Sequence, residues 1–490
     1  MEIFIGIDIG TTSVKAIAVD GKGKIEKSLS RSLPLHTPKP GWAQQNPQDW
    51  WEAVVDILSE FLKSGHRIAA ISVSGQMHSL VALNDRDEPV YPSILWCDQR
   101  TEKQCRELTD KLGGEKAVIE SFGNPILTGF TLPKLLWLEE NEPERFSTIV
   151  RWMLPKDYIT YRLTGRSTID YSDASGTSAL TLEGEFSTRA LELCNVDQSS
   201  NPELVNSGEI IGPVLEGTIS GLKGVPVVAG GADNASAAFG CGVERPGDTM
   251  VSLGTSGTVV AVTKNAVPDT TGGIHLFRHV SGESFYHMAV ILSATNSLNW
   301  FRERFASETS LGEIETIVSS SPAGSNGIVF LPYLNGERTP HRDPNARGTL
   351  FGFSSFHSRG NVFRSIYEGV AFALREGADL IQRLGTSIER VRIVGGGSRS
   401  DTWCQIVADN LGRDVWSPRV DEGAAYGSAR LAAMAMGVES DSWIKLDRYF
   451  MPDNERKEVY DAIFDIYRKL YSSLKENFMV LGELQNRLVK

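Results

Sequence analysis

Twice along this chain a short β-branched segment runs into a glycine–threonine loop and straight out into a second apolar segment. The first is Ile7-Asp8-Ile9-Gly10-Thr11-Thr12-Ser13, with apolar residues over 3–9 before it and Val14–Val19 after it. The second is Val251-Ser252-Leu253-Gly254-Thr255-Ser256-Gly257, with Thr258–Val262 running out. Each reads as a hairpin whose tip presents backbone N–H groups and hydroxyls. Glycine there lets a ligand come against bare backbone. One such unit in each half of a 490-residue chain constrains the fold strongly. Single hydrophobic cores stop growing near ~250–300 residues. The chain is therefore expected to form two α/β domains with a ligand cleft between them. The polar turn Glu244-Arg245-Pro246-Gly247-Asp248 divides them, giving domains over 1–245 and 246–490.

The remaining periodicities fill in around the hairpins. Residues 47–63 predict a helix, with Pro47 in its first turn and a stripe of Trp50, Val54, Leu58, Phe61 and Leu62. Residues 68–74 and 225–231 predict buried strands, the second ending at a glycine pair. The opening order is thus β-β-α-β, which suits a mixed sheet covered by helices. Val391–Val394 predicts a strand that enters Gly395-Gly396-Gly397-Ser398 and then a helix carrying Trp403, Ile406, Val407 and Leu411. The alanine-rich stretch 424–436 predicts a buried helix, and the charged tail Asp453–Lys490 a solvated helix pair. Of Trp42, Trp50, Trp51 and Trp96, all candidate apolar walls, most are expected in the core.

Composition excludes several function classes. The net charge of −12 gives no support for nucleic acid or an anionic membrane surface as partner. The five cysteines form no C-x-x-C pair, so neither a zinc site nor a disulfide framework is expected, and the compartment is expected to be reducing. The opening Met1–Asp8 lacks the basic leader of a signal peptide, and no run of ~18 apolar residues occurs, so a cytoplasmic location is expected.

Four places carry candidate chemistry. Asp8 directly precedes the first loop, where a carboxylate can hold Mg²⁺ beside phosphate oxygens. The Gly395–Gly397 run lies where strand meets helix, allowing a nucleotide to lie against backbone, although no Walker A string occurs. Asp233 follows Gly230-Gly231 at a strand end, where it reads equally as a general base or as a cap on the following helix. His78, just past a strand, reads as a structural histidine or as a hydrogen-bonding partner for a ligand.

The two hairpins together with the strand–glycine–helix element resemble the actin, hexokinase and Hsp70 superfamily. Within it, Ser74-Gly75-Gln76-Met77-His78, Ile94-Leu95-Trp96-Cys97-Asp98-Gln99-Arg100-Thr101 and Gly230-Gly231-Ala232-Asp233-Asn234-Ala235 resemble the FGGY carbohydrate kinases. So do Thr131–Leu138, Leu154–Tyr158, Ser172–Thr177, Leu331–Tyr333, Gly336–Pro340 and Gly348–Glu368, and the resemblance spans nearly the whole chain. It implies two ribonuclease H-like α/β domains with an interdomain cleft. It implies ATP, Mg²⁺ and a small sugar as ligands, with Asp233 as catalytic base. Met77, His78 and Asn234 become sugar contacts beside Asp233, and Asp8 the metal-organising acid. Thr11, Thr12, Gly254 and Thr255 become phosphate contacts, Gly396 and Gly397 adenosine contacts, and Asn299 a further nucleotide contact. A homodimer is implied as well.

The Gly75-Gln76-Met77-His78 form is similar to that of family members acting on D-xylulose. Cys97 and Ser79 stand where those members often carry asparagine and glycine, and both flank the expected sugar pocket. Ser79 and Trp96-Cys97-Asp98 also resemble members acting on gluconate. Ribulose, fuculose and glycerol remain alternatives within the family. An actin- or Hsp70-like ATPase has no use for the sugar motifs, and a sugar-sensing regulator would need a DNA-binding module.

Overall fold

The computed structural model describes residues 1–488 and contains two mixed sheets built to one plan. In the first, Glu2–Ile9 pairs antiparallel with Ser13–Asp20, which pairs with Ile25–Ser32. On its other side Glu2–Ile9 runs parallel to Arg67–Gly75, and that strand runs parallel to Pro226–Ala232. Ile210–Pro213 closes the six-stranded sheet. In the second, Gly247–Leu253 takes the central place, with Gly257–Thr263 and Phe285–Ile291 antiparallel on one side. Ile388–Val394 and Val415–Pro418 lie parallel on the other. His275–Arg278 and Leu446–Phe450 extend this sheet to seven strands. The repeated glycine–threonine hairpins of the sequence are thus the first two strands of each sheet.

The order of the first half differs from β-β-α-β, because a third strand, Ile25–Ser32, precedes the helix. Its sequence is Ile-Glu-Lys-Ser-Leu-Ser-Arg-Ser, and none of its residues is fully buried. An edge strand needs few apolar residues and is protected by charge, so the sequence carries little signal for it. The helix Pro47–Leu62 then starts where expected, with the Asn46 side chain accepting from Gln48 N at 3.1 Å. Its Trp50, Val54, Ile57 and Leu58 pack on Ile3, Ile5, Ile7 and Ile9, one face of the central strand.

The opposite face of that sheet is covered from the far end of the chain. The alanine-rich helix Gly423–Ala435 lays Ala425, Ala429 and Ala432 against Phe4, Ile17 and Val19. The approach is so close that a Cβ on Gly6 would collide with the Ala425 carbonyl, and one on Gly427 with the Ser236 carbonyl. Small residues here let backbones meet directly, which is why this helix is alanine-rich and not leucine-rich. Three chain segments therefore cross between the sheets: 241–246, the stretch entering this helix and the stretch 436–445 that leaves it for Leu446–Phe450.

The tail is a single helix, Asn454–Leu488, and not a solvated pair. Tyr460, Phe464, Tyr467, Tyr471 and Phe478 recur at helical spacing and are buried against the second core, where Phe372 of the helix Arg359–Arg383 meets three of them. The charges that dominate the tail's composition occupy the outer face of an amphipathic helix. No helix among the described residues is long and apolar enough to cross a membrane.

Candidate active site

Asp8 and Asp233 stand at the C-terminal ends of two parallel strands separated by one other, Arg67–Gly75. This is the end of an open α/β sheet where ligands bind. Asp8 ends the first strand before the tight turn closed by Gly10 N donating to Ser13 O at 3.0 Å. Its Oδ1 is buried without any hydrogen-bond partner among the described residues. Burial lifts its carboxyl to about 6, against the opposing charge of Lys15.

Asp233 is the first residue of the helix Asp233–Gly240, just past the Ala232 cap position. Oδ1 accepts from the first-turn backbone N and the side-chain Nδ2 of the neighbouring Asn234, at 2.6 and 2.8 Å. Oδ2 carries no bond to a described residue. Burial pushes the Asp233 carboxyl up to about 7, and the Asp8 carboxylate adds to the rise. The turn carrying it is held from behind. Ala232 N donates to Ser172 Oγ at 2.9 Å, and Ser172 Oγ donates to Asp170 Oδ2 at 2.5 Å. Asp170 shares the buried Lys156 ammonium with Asp157 and Asp173, at 2.9 Å for Asp170 and 3.6 Å for Asp173. Sequence alone did not show this support, although the adjacent Lys156-Asp157 at the start of the helix Pro155–Thr164 was its signal.

The Gly75–Ser79 loop is laced to the first glycine–threonine loop. Gln76 N donates to Ile9 O at 2.9 Å, and Gln76 Nε2 to Gln45 Oε1 at 3.2 Å. Gln45 in turn donates to Thr11 O at 2.8 Å, and Ser79 Oγ donates to Gln76 Oε1 at 3.2 Å. Trp96 is not core: 41% exposed, it donates its indole N–H to Thr11 Oγ1 at 3.0 Å and forms a wall over the loop. Trp50 and Trp51 are core, as expected. Thr12 is exposed beside Thr11.

Met77 is buried with Phe130, Phe277 and Val280. His78 has φ +69°, a left-handed conformation that is strained for a residue with a Cβ. Three groups hold it. Its carbonyl accepts from Thr131 Oγ1 at 3.0 Å and from Lys134 Nζ at 2.8 Å, and its Nδ1–H donates to Gly176 O at 2.6 Å. A carbonyl can only accept, so Nδ1 carries the proton and Nε2 is left as an acceptor. Burial, and then the Lys134 charge, keep the imidazole neutral, well below the usual histidine range. A Cβ at Gly176 would collide with the ring. Lys134 itself is buried, which pulls its ammonium down to about 7. The clamp of Thr131, Lys134 and Gly176 was missed as chemistry; an unpaired lysine within the apolar Thr131–Leu138 run was its trace.

On the second sheet the expected nucleotide elements converge. The Gly254-Thr255 loop is tied to the helix Thr295–Phe305, with Thr295 Oγ1 donating to Gly254 O at 2.8 Å and Ala294 N to Thr255 O at 2.9 Å. Gly395, at φ +91°, packs so tightly that a Cβ would stand 2.8 Å from the Leu253 backbone, and one on Gly397 2.8 Å from Leu253 Cβ. Gly396 is exposed, with open space around it. Asn299 lies one turn along the helix from Thr295 and is exposed. Residues one turn apart share a helix face, which sets Asn299 on the side bearing the glycine loop. This arrangement offers two hydroxyl-bearing loops from opposite sheets, a paired set of carboxylates, and a neutral imidazole acceptor.

Known proteins resemble this chain along nearly its whole length. Residues 3–240 match the N-terminal domain and residues 249–436 the C-terminal domain of the FGGY family of carbohydrate kinases. The chain is 38% identical to the xylulose kinase of Bacillus subtilis (strain 168), covering 97% of this chain and 98% of that one. A ligand-bound xylulose kinase of Lactobacillus acidophilus superposes with a TM-score of 0.92 at 25% identity, covering 98% and 100% of the two chains. A gluconate kinase of the same organism also superposes at 0.92, with 26% identity and 98% and 99% covered.

Proposed function

The chain belongs to the FGGY family of carbohydrate kinases, and we propose that it transfers the γ-phosphoryl group of ATP to a hydroxyl of D-xylulose, giving the 5-phosphate. The observation that carries the mechanism is the Asp233 carboxylate, with one oxygen held by Asn234 and the other free at the strand ends beside Asp8.

The sugar sits between Met77 and the second sheet. His78 Nε2 accepts from one of its hydroxyls, and the Asn234 side-chain oxygen, whose amide nitrogen is engaged by Asp233, accepts from another. Asp233 Oδ2 takes the hydroxyl bearing the transferred group. A sugar hydroxyl holds its proton far above neutral pH, so the proton must leave as the O–P bond forms. A carboxyl lifted to about 7 binds that proton better than an ordinary aspartate and still ionises near neutrality. The hydroxyls of Thr11, Thr12 and Thr255 and the N–H groups of their loops face the phosphates from both sheets. Gly396 and Gly397 provide bare backbone for the adenosine, with Asn299 alongside.

The unbonded Asp8 Oδ1 fits an organising role toward Mg²⁺. The Asp8 carboxylate would hold such an ion, which takes its other ligands from water and phosphate oxygens. When bound, Mg²⁺ neutralises charge on those oxygens. Domains over 1–245 and 246–490 and a homodimer complete the proposal.

Gluconate is the second substrate to consider, because Ser79 and Cys97 flank the pocket and the gluconate kinase superposes equally well. A coupled ADP-release assay across ketoses, polyols and sugar acids decides. D-xylulose is expected to give the highest kcat/KM; a clear preference for gluconate would overturn the substrate and leave phosphoryl transfer standing.

A further inference from the structure

Arg338 belongs to the second half of the chain, and its guanidinium makes no hydrogen bond or ion pair with any described residue. Neighbouring buried or half-buried cations are all engaged: Lys134 on the carbonyls of His78 and Gly129, Lys156 on three carboxylates, Arg278 on Leu182 O. Glu337, next to Arg338 in sequence, does not serve it. Its Oε1 accepts from the backbone N of Leu292 and Arg338, at 2.9 and 2.8 Å. A half-buried guanidinium that bonds nothing in the protein has its five N–H donors free for a ligand.

The segment bearing Arg338 is fixed in place. Thr339 N donates to Val290 O at 3.1 Å, and Thr339 Oγ1 accepts from Val290 N at 3.0 Å and donates to Gly273 O at 2.8 Å. Those bonds pin it to the strand Phe285–Ile291 and to the turn entering His275–Arg278. That last strand reaches the sugar side: the Phe277 ring lies 5.8 Å from His78, and Phe130 stacks on His78 at 4.4 Å and lies 6.4 Å from His275. The Arg338 charge is felt there. Behind burial, Lys134 and His275 it adds a small push holding His78 neutral, and after burial it is the main cause keeping His275 down at about 3. The bonds of Thr339 and the contacts of Phe277 and Phe130 with His78 thus set Arg338 on the His78 side.

We propose that Arg338 is a specificity-determining residue that binds the end of the sugar remote from the phosphorylated hydroxyl, its planar fork donating to the carbonyl oxygen and the adjacent hydroxyl oxygen of a ketose. An α-hydroxyketone presents two oxygens side by side, which suits a bidentate guanidinium better than a point-charge ammonium. Sugar binding then needs a residue from each half of the chain. This inference rests on the sugar-kinase reading above, and the experiment keeps the two apart.

Turnover by the unaltered protein is measured first, and the sugar that turns over is used throughout; absence of turnover with every sugar sinks the kinase reading itself. Steady-state kinetics then compare Arg338→Ala and Arg338→Lys, with circular dichroism confirming that both fold. Arg338→Ala is expected to raise KM for the sugar at least ~10-fold while KM for ATP stays within about twofold, as for loss of a charge-assisted hydrogen bond. Arg338→Lys is expected to recover part of the loss. Calorimetry with D-xylulose and 1-deoxy-D-xylulose adds a readout that a structural role would not move. The unaltered protein should favour the sugar with the extra hydroxyl, and Arg338→Ala should lose that preference. Unchanged sugar KM and unchanged preference would overturn the proposal, as would a rise confined to KM for ATP.

Discussion

Replacing Asp233 by asparagine separates a general base from a structural carboxylate, because the two roles predict opposite signs for activity and stability. Asparagine keeps the shape and can still bond Asn234, but it cannot take a proton. A positioned base contributes ~10²–10⁴ in rate, so kcat should fall at least ~100-fold with little change in KM. Stability should move the other way. Lifting the carboxyl from 3.8 to about 7 means that folding disfavours its ionised form. At ~1.4 kcal/mol per pH unit the shift corresponds to at most roughly 4 kcal/mol. The group is half-buried and within reach of solvent, so screening reduces the expected effect to about 1–2 kcal/mol. The sign follows from linkage. The cost is absent below 3.8, grows as pH rises through the interval to about 7, and is constant above it. Asp233→Asn should therefore be more stable than the parent at pH 8, with the difference vanishing toward pH 4. Urea denaturation at the two pH values and a coupled ADP-release assay measure both quantities. Near-parental kcat would refute the base assignment. Loss of stability at pH 8 would refute the burial argument, showing that the carboxylate supports the fold through its bonds to Asn234.

Asp8→Ala should lower kcat at least ~100-fold while calorimetry shows sugar affinity largely kept, since the residue acts on the phosphate side. Removing its charge should also let Asp233 ionise at lower pH, a shift that ¹³C NMR of labelled carboxylates in the ligand-free protein would follow; an unmoved titration would place the two carboxylates too far apart to couple. Gly176→Ala forces a methyl group into the His78 ring and should raise KM for the sugar by ~10-fold or more with KM for ATP unaffected, as misplacing a positioning group does; equal effects on both would point to general disruption. Sugar together with a non-hydrolysable nucleotide should compact the molecule in small-angle scattering, because the proposed sugar contacts fall mostly on the first sheet and Thr255, Gly396 and Gly397 on the second; an unchanged radius of gyration would count against closure.

The duplicated hairpins, the glycine runs and the positions of Asp8 and Asp233 were legible because they depend on local rules. Strand periodicity, and the need for glycine where a loop meets a ligand or another backbone, act over a few residues. The edge strand Ile25–Ser32 and the single amphipathic helix Asn454–Leu488 were harder, since polar residues facing water look alike in a strand, a loop or a helix until the buried face is known. What the tertiary structure alone decided concerns partners. Asp233 reads equally as a cap or a base in sequence; only the structure shows that one of its oxygens bonds Asn234 while the other is left without a partner. His78 becomes an acceptor at Nε2 because the Gly176 carbonyl, nearly a hundred residues on, accepts a hydrogen bond from its Nδ1–H. The helix Gly423–Ala435 reads as buried, but that it covers the first sheet follows from contacts more than four hundred residues apart along the chain. Arg338 stands out only once the partners of every neighbouring cation are known. Charge and hydrogen-bond energies depend on burial and on what lies within a few ångströms, and in a chain that folds two halves across one cleft those neighbours come from anywhere in the sequence.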